Sequence, residues 1–278
     1  MQLGVYDPRG LFRNATNLTY EHVFLNWSGY TPGTAYNAAL GATNRGRTLL
    51  LTVLPFTDFA LASSSATLLS DIAAGLYDAT INALAADLAS ARVSVYFRWG
   101  PGMELPANRG VYDWATNDPN GYIAAYRYVV NRLKILLPSA FPATYIWSPD
   151  GAANAFLYYP LGDVVDIIGI SAYSYAPYDT FVYGNPQAFS DIVSAKFNAA
   201  ATADATKNVF VCEMGAAGVF GDFAYKNNWI ANALSIASSF FTATSFLTGL
   251  IYFADSSLLP YGSFGNPNFI CSPSVWTF

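Results

Sequence analysis

The sequence predicts an α/β fold, a single (β/α)8 TIM barrel spanning residues 1–278, and three observations carry that expectation. Eight short apolar segments recur from end to end, most of them continuous rather than alternating, as strands covered on both faces of a parallel sheet are. Segments with a helical apolar period lie between them. The length suits one large barrel, since such barrels commonly run to about 250 residues, and no repeat, linker or low-complexity stretch divides the chain.

In chain order the expected strands are QLGVY (2–6), HVFLNW (22–27), TLLLTVL (48–54), VSVYF (93–97), TYIW (144–147), VVDIIGISAY (164–173), VFVC (209–212) and FLTGLIYF (246–253). In YDATINALAADLASA, Ile81, Leu84, Ala85 and Leu88 fall at i, i+3, i+4 and i+7 and share one helix face. Ile123, Val130, Leu133 and Leu137 make a second stripe, with Asn120 as the expected N-cap and Pro138 where the helix must stop. GDFAYKNNWIANALSIASSFF repeats the design, with Asp222 as its cap. One interval departs from the pattern: roughly 16 residues separate strands five and six, room for a turn of helix at most.

Charged residues are only 11% of the chain and hydrophobic residues 53%, which raises the question of a membrane protein. No run reaches the roughly 18 uncharged apolar residues of a spanning helix, so the excess belongs to a large core and a sparsely charged surface. A net charge of −5 without any Lys/Arg cluster argues against nucleic acid as a partner. Cys212 lies inside an apolar strand, where a buried free thiol is the expected state; a disulfide with Cys271 is the alternative. The start MQLGVYDPRG has neither the charged nor the apolar region of a secretory signal. The expected location is nonetheless secreted or periplasmic, with the signal absent from this chain. Sequons at Asn14, Asn17 and Asn26 are short enough to arise by chance.

Only three of the 18 acidic residues are glutamates: Glu21, Glu104 and Glu213. Chemistry in such barrels collects at the C-terminal ends of the strands. Glu104 follows strand four by a few residues and Glu213 follows strand seven at once, whereas Glu21 precedes strand two at the opposite end. Strands four and seven lie nearly opposite each other, so two carboxylates can face one bond. That is the apparatus of glycoside hydrolysis, in which one carboxyl donates a proton and the other attacks or activates water. Glu104, beside Met103, Leu105 and Pro106, has the apolar setting that keeps an acid protonated. The plainer reading pairs Glu213 with an arginine and leaves Glu104 as a loop carboxylate.

Several segments in order resemble glycoside hydrolase family 26, clan A barrels best known as β-mannanases. DIAAGLYDATINALAADLASARVSVYFRWG is similar to the family's helix and fourth strand, with an Arg before the acid. YIAAYRYVVNRLK resembles the following helix, TYIWSPDGA the fifth strand, YYPLGDVVDIIGISAYSY the sixth and VFVCEMGA the strand of the nucleophile. The resemblance covers most of the chain. It implies Glu213 as nucleophile, Glu104 as acid/base, Tyr173 as a donor to the nucleophile, Arg98 orienting carboxylates and Trp114 stacking on a sugar. It also implies retention of configuration through a covalent intermediate, with carboxyl groups roughly 5–5.5 Å apart. The family writes its acid in His-Glu-Met-Asn; here the stretch is Pro101-Gly102-Met103-Glu104, which sets Glu104 about two positions further from Arg98. The single histidine, His22, begins strand two and cannot stand beside the acid. On strand eight, where the clan commonly has a tryptophan, this chain has Tyr252 and Phe253.

Trp27, Trp99, Trp114 and Trp147 fall at strand C-termini or in the loops after them. Each reads as a packing residue or as a sugar platform; four on one rim favour a carbohydrate cleft. Asp7 and Asp150 suit sugar hydroxyls or turn caps, and Asp166 suits a backbone or arginine partner. No His/Cys/Asp set has metal-ligand spacing and no Gly-rich phosphate loop occurs, so neither metal nor cofactor is expected. The expected activity is a retaining, endo-acting glycoside hydrolase cutting a β-linked polysaccharide, mannan-like or a bacterial exopolysaccharide. The alternative is a polysaccharide-binding barrel without catalysis, for example an accessory protein of exopolysaccharide biosynthesis.

Overall fold

The computed structural model describes residues 2–56, 66–109, 111–219, 222–244, 247–257 and 261–276. Its elements are β1 (Gln2–Tyr6), β2 (Tyr20–Asn26), α1 (Thr34–Asn44), β3 (Thr48–Leu54), α2 (Leu68–Ala73), α3 (Asp78–Ala91), β4 (Val95–Trp99), α4 (Pro119–Leu136), β5 (Ala143–Trp147), β6 (Ile167–Tyr175), α5 (Ala176–Tyr183), α6 (Phe189–Asp204), β7 (Asn208–Ala217), α7 (Phe223–Thr244) and β8 (Leu247–Phe253). All eight strands pair in parallel with their chain neighbours, and β8 closes on β1. The (β/α)8 barrel is therefore complete. Between β5 and β6 stands only a 3-10 turn, Ala155–Tyr158, in keeping with the short interval read from the sequence. Phe246 and Gly221, at the expected starts of strand eight and of the last helix, lie outside the described residues.

Strand alternation divides the apolar residues between two layers. Tyr20, Leu50, Ile146, Ile167, Phe210, Cys212 and Ile251 cluster with one another and fill the barrel. Their chain neighbours, such as Leu49, Leu51, Val209 and Val211, pack outward with helix residues such as Ile81, Leu84 and Leu88. This is why the strands are apolar on both faces. The stripe on α3 buries as its spacing predicts, with Ile81, Leu84, Ala85 and Leu88 all enclosed.

Two helix starts are fixed by aspartates. Asp222 accepts from the backbone N–H of Tyr225 at 2.9 Å, as expected of a cap. For α4 the cap is Asp118, which accepts from Gly121 N–H at 2.9 Å, rather than Asn120. Pro119 takes the first helical position, where a missing N–H costs nothing, and so shifts the cap two residues earlier. Cys212 and Cys271 are both buried free thiols, and burial pushes each up to about 12.

Candidate active site

The nucleophile candidate reaches the barrel lumen through an irregularity in β7. Strict alternation from Cys212, which faces inward, points Glu213 outward toward the helices. In the pairing of β6 with β7, Ile170 lies opposite Val211 but Ser171 lies opposite Glu213, so Cys212 is an extra residue on β7. Such a bulge re-aims the side chain that follows it. Cys212 and Glu213 thus both enter the lumen, and Met214 returns to the outer layer. Opposite the bulge, Gly169 supplies the space: a Cβ there would stand 2.7 Å from Cys212 Sγ and 2.8 Å from Ile146 Cγ2.

Glu213 meets two donors. Arg98 Nη1, from β4 across the lumen, pairs with Glu213 Oε1, and Tyr173 Oη, from β6, donates to Oε2 at 2.7 Å. Arg98 is enclosed, with 2% of its side chain exposed, while Glu213 keeps 14%. The guanidinium also contacts Thr52 Oγ1 at 3.4 Å, and that hydroxyl bonds His22 Nε2 at 2.7 Å. Burial, then the neighbouring Arg98 charge, pushes the His22 imidazole well below its ordinary value, so it stands neutral beneath the ion pair. Burial, then Glu213, pushes the Tyr173 phenol well above its ordinary value, so it remains a donor.

Glu104 lies elsewhere. Its side chain has no exposed surface. Oε1 accepts from the backbone N–H groups of Gly151 and Ala152 at 2.9 and 3.2 Å, beyond β5, and Oε2 has no partner. The loop that carries it is pinned: the carbonyls of Gly100, Pro101 and Gly102 accept from Tyr122 Oη, Trp114 Nε1 and Asn108 Nδ2. The expected acid/base residue is therefore sealed beneath the rim, because its oxygen serves as the acceptor for the adjacent loop. Burial first, then the charge of Asp150, raises its carboxyl above the usual value near 4.5.

That shift predicts a pH signature. A carboxyl with a raised folded-state pKa stabilises the fold below the unfolded value, and the contribution is lost as pH climbs through the folded value. Unfolding midpoints in urea from pH 4 to 7 should thus fall more steeply for wild type than for Glu104→Gln. Parallel curves would remove Glu104 as the source. Glu104→Leu, which leaves the half-buried N–H groups of Gly151 and Ala152 without their acceptor, should cost about 1–3 kcal/mol at any pH in that range.

The four tryptophans expected on the rim do not offer faces to a ligand. Trp99, Trp114 and Trp147 have no exposed surface and Trp27 only 5%. The cause is strand parity. Arg98 and Ile146 point inward, so Trp99 and Trp147 point outward to the helices; Trp99 lies against Tyr122 and Trp147 against Tyr159. Trp27 packs edge-on against Trp99 and Tyr77. Trp114 stacks at 4.8 Å on Tyr112, a support for that ring rather than a platform of its own.

The partly exposed rings around Glu213 are Phe253 of β8, at the strand-eight position noted in the sequence, and Tyr6, Phe24, Tyr112 and Tyr261, which the sequence pattern does not single out. Tyr6 stacks on Phe253 at 4.8 Å and meets Phe24 edge-on at 4.9 Å, while Tyr173 contacts Phe253 and Phe269. The Glu213 charge is felt at Tyr6, Tyr112 and Tyr261, and burial with that charge holds Tyr112 up at about 12. Tyr252 faces away and donates to Phe269 O at 2.6 Å. Asp7 caps the turn after β1 through Leu11 and Phe12 N–H, Asp166 accepts from Tyr145 N–H, and Asp150 pairs with Lys196 at 3.1 Å. Among the described residues no group of three His, Cys, Asp or Glu could hold a metal ion, and no helix is long and apolar enough to cross a membrane.

A model of glycosyl hydrolase family 26 matches residues 61–249, well over half of the chain. The chain belongs to glycoside hydrolase family 26. Solved structures agree on the fold at low identity. A modular endo-β-1,4-mannanase from Cellulomonas fimi superposes with a TM-score of 0.71 at 16% identity, covering 98% of this chain and 67% of that one. A family 26 protein from a Muricauda species gives 0.66 at 14% identity over 91% and 77% of the two chains, and a β-mannanase from Bacteroides ovatus gives 0.62 at 12% over 100% and 83%. No curated protein matches the chain by sequence.

Proposed function

We propose that this family 26 barrel is a retaining, endo-acting glycoside hydrolase of a β-linked polysaccharide, with Glu213 as its nucleophile. One observation carries the reading: the β7 bulge brings the Glu213 carboxylate into the lumen, where Arg98 and Tyr173 bond one oxygen each. A carboxylate so held is fixed in direction, as attack on an anomeric carbon requires. The partly exposed rings of Tyr6, Tyr112 and Phe253 suit the apolar faces of neutral sugars. The mannanase structures it resembles favour a mannan-like substrate, with a neutral exopolysaccharide as the other choice, and a polymer of either kind implies a secreted or periplasmic protein.

The test is covalent trapping. A 2-deoxy-2-fluoro β-glycoside with a dinitrophenolate leaving group needs no proton donor, so the glycosyl ester accumulates. Mass spectrometry should find one adduct, on Glu213. The enclosure of Glu104 favours a second reading, a barrel that binds polysaccharide without cutting it. That reading gains if β-mannan, mixed-linkage glucan, xylan and exopolysaccharides are bound but never cleaved, and no fluoro-sugar labels the protein.

A further inference from the structure

The aromatic lining of the barrel mouth does not end at Glu213. Tyr173, which donates to Glu213, and Tyr175 are alternate residues of β6 and share its inner face, so Tyr175 stands roughly 6.6 Å nearer the mouth. β6 runs straight into α5, and ring contacts lead outward from Tyr175. Tyr175 meets Tyr261 edge-on at 5.7 Å, and Tyr261 meets Tyr178 at 5.3 Å. Phe264 lies 6.2 Å from Tyr178 and 5.5 Å from Phe181. Tyr178 and Phe181, three apart on α5, share a helix face. Tyr175 Oη also donates to Phe264 O at 2.9 Å, which ties the segment after β8 to the end of β6. The line finishes in the open: Phe181 is 77% exposed, with Val182 and Tyr183 exposed beside it.

Contiguous exposed apolar side chains mark an interaction site. We infer that these rings form a platform for a neutral β-linked polysaccharide, supporting the chain away from the bond that Glu213 attacks. The inference deepens the hydrolase reading above and rests on it.

Three features select that occupant. The platform is continuous with Glu213 through Tyr173 and Tyr175, so a polymer lying over the nucleophile extends onto it. Both of its segments are uncharged at the surface. Asp179, the one charged residue of α5, is buried, where it accepts from Ser174 Oγ and from Gln187 N–H at 3.1 Å, and Tyr261–Gly265 has no charged residue. An acidic polymer would find no cation in either segment. The platform is also small. Tyr178, Phe181, Tyr261 and Phe264 fall well short of the roughly 20–30 residues a side that a stable protein interface uses. Flat rings, two of them with a hydroxyl tip, instead match the apolar faces and polar edges of sugars.

The experiment compares wild type with Phe181→Ala, Phe181→Trp and Ile135→Ala, the last a similarly exposed apolar residue on α4. Each runs in native gels containing β-mannan, mixed-linkage glucan or xylan, and kcat/KM is measured on the retarding polymer and on an aryl disaccharide glycoside of the same sugar. A ring contact of this kind is worth about two- to tenfold. Phe181→Ala should weaken retardation and lower kcat/KM on the polymer by about that factor, through KM, with a smaller loss on the short glycoside. Phe181→Trp should restore both, and Ile135→Ala should match wild type. An alanine variant retarded as strongly as wild type, or one that loses equally on polymer and short glycoside, would overturn the platform. A dimer in light scattering that Phe181→Ala disperses would assign the patch to a second copy instead. A wild type that no gel retards would also overturn it, and fluoro-sugar labelling of Glu213 would then still uphold the hydrolase reading. If Phe181→Ala loses retardation while wild type neither cleaves nor takes the label, the platform stands on a binding barrel and the hydrolase reading falls.

Discussion

Glu213→Gln is expected to lower kcat by on the order of 10⁴–10⁶, the scale seen when the nucleophile of a covalent hydrolase is removed. The amide keeps the shape of the carboxylate, so its oxygen still accepts from Arg98 and its nitrogen lies toward Tyr173. What it lacks is the negative charge that attacks carbon. The change also leaves the Arg98 guanidinium, 2% exposed, without its counter-charge. Breaking a buried pair from one side costs about 3–5 kcal/mol, and the 14% exposure of Glu213 places this case at or below the lower end. The variant should therefore fold, melt earlier and still bind polysaccharide. Kinetics on the cleaved polymer, with affinity electrophoresis on the same gel matrix, separate the two effects. A variant that cleaves as fast as wild type would mean that Glu213 is only the structural partner of Arg98.

The barrel was legible because its strands are covered on both faces. A run such as TLLLTVL needs apolar residues at every position, and turns separate it clearly from the helical stripes. Glu213 was legible for a simpler reason, as a charged residue directly after such a run. Its direction was not. By alternation from Cys212 it belongs outside, and the extra residue that turns it inward leaves no mark in VFVCEMG; the trace of it is on the partner strand, where Gly169 makes room.

The tryptophans are a different case, because strand parity alone decides where two of them point. Arg98 and Trp99 are consecutive on a regular strand, so an Arg assigned to the lumen commits its neighbour to the helices. The same rule removes Trp147 once Ile146 is placed inside. Glu104 carried its own warning in its distance from Arg98. Two added residues are enough to carry a side chain from the mouth of β4 down behind the β5 loop, where backbone N–H groups wait for an acceptor. An apolar setting was read correctly, and the pKa moves in the expected direction. Burial that complete also removes contact with substrate, which the sequence pattern does not separate from a raised pKa.

Arg98→Met should lower stability and activity together. The guanidinium sits within the barrel and contacts both Glu213 and Thr52. Removing it leaves a carboxylate at the lumen wall with Tyr173 as its remaining bonded donor. The uncompensated charge costs about 3 kcal/mol, the lower end for a half-broken buried pair, since Glu213 keeps some contact with water. The same loss frees the carboxylate to turn about its side chain, and a misaimed nucleophile costs on the order of 10²-fold in turnover. Arg98→Lys separates the contributions. An ammonium supplies the charge on a shorter side chain than the guanidinium, whose Nη1 reaches both Glu213 and Thr52, so stability should largely return while turnover stays low. Urea unfolding and kcat/KM measured on both variants decide the matter. If Arg98→Met were as stable and as active as wild type, the cross-lumen pair could not be what aims Glu213, and the bulge in β7 alone would have to do so.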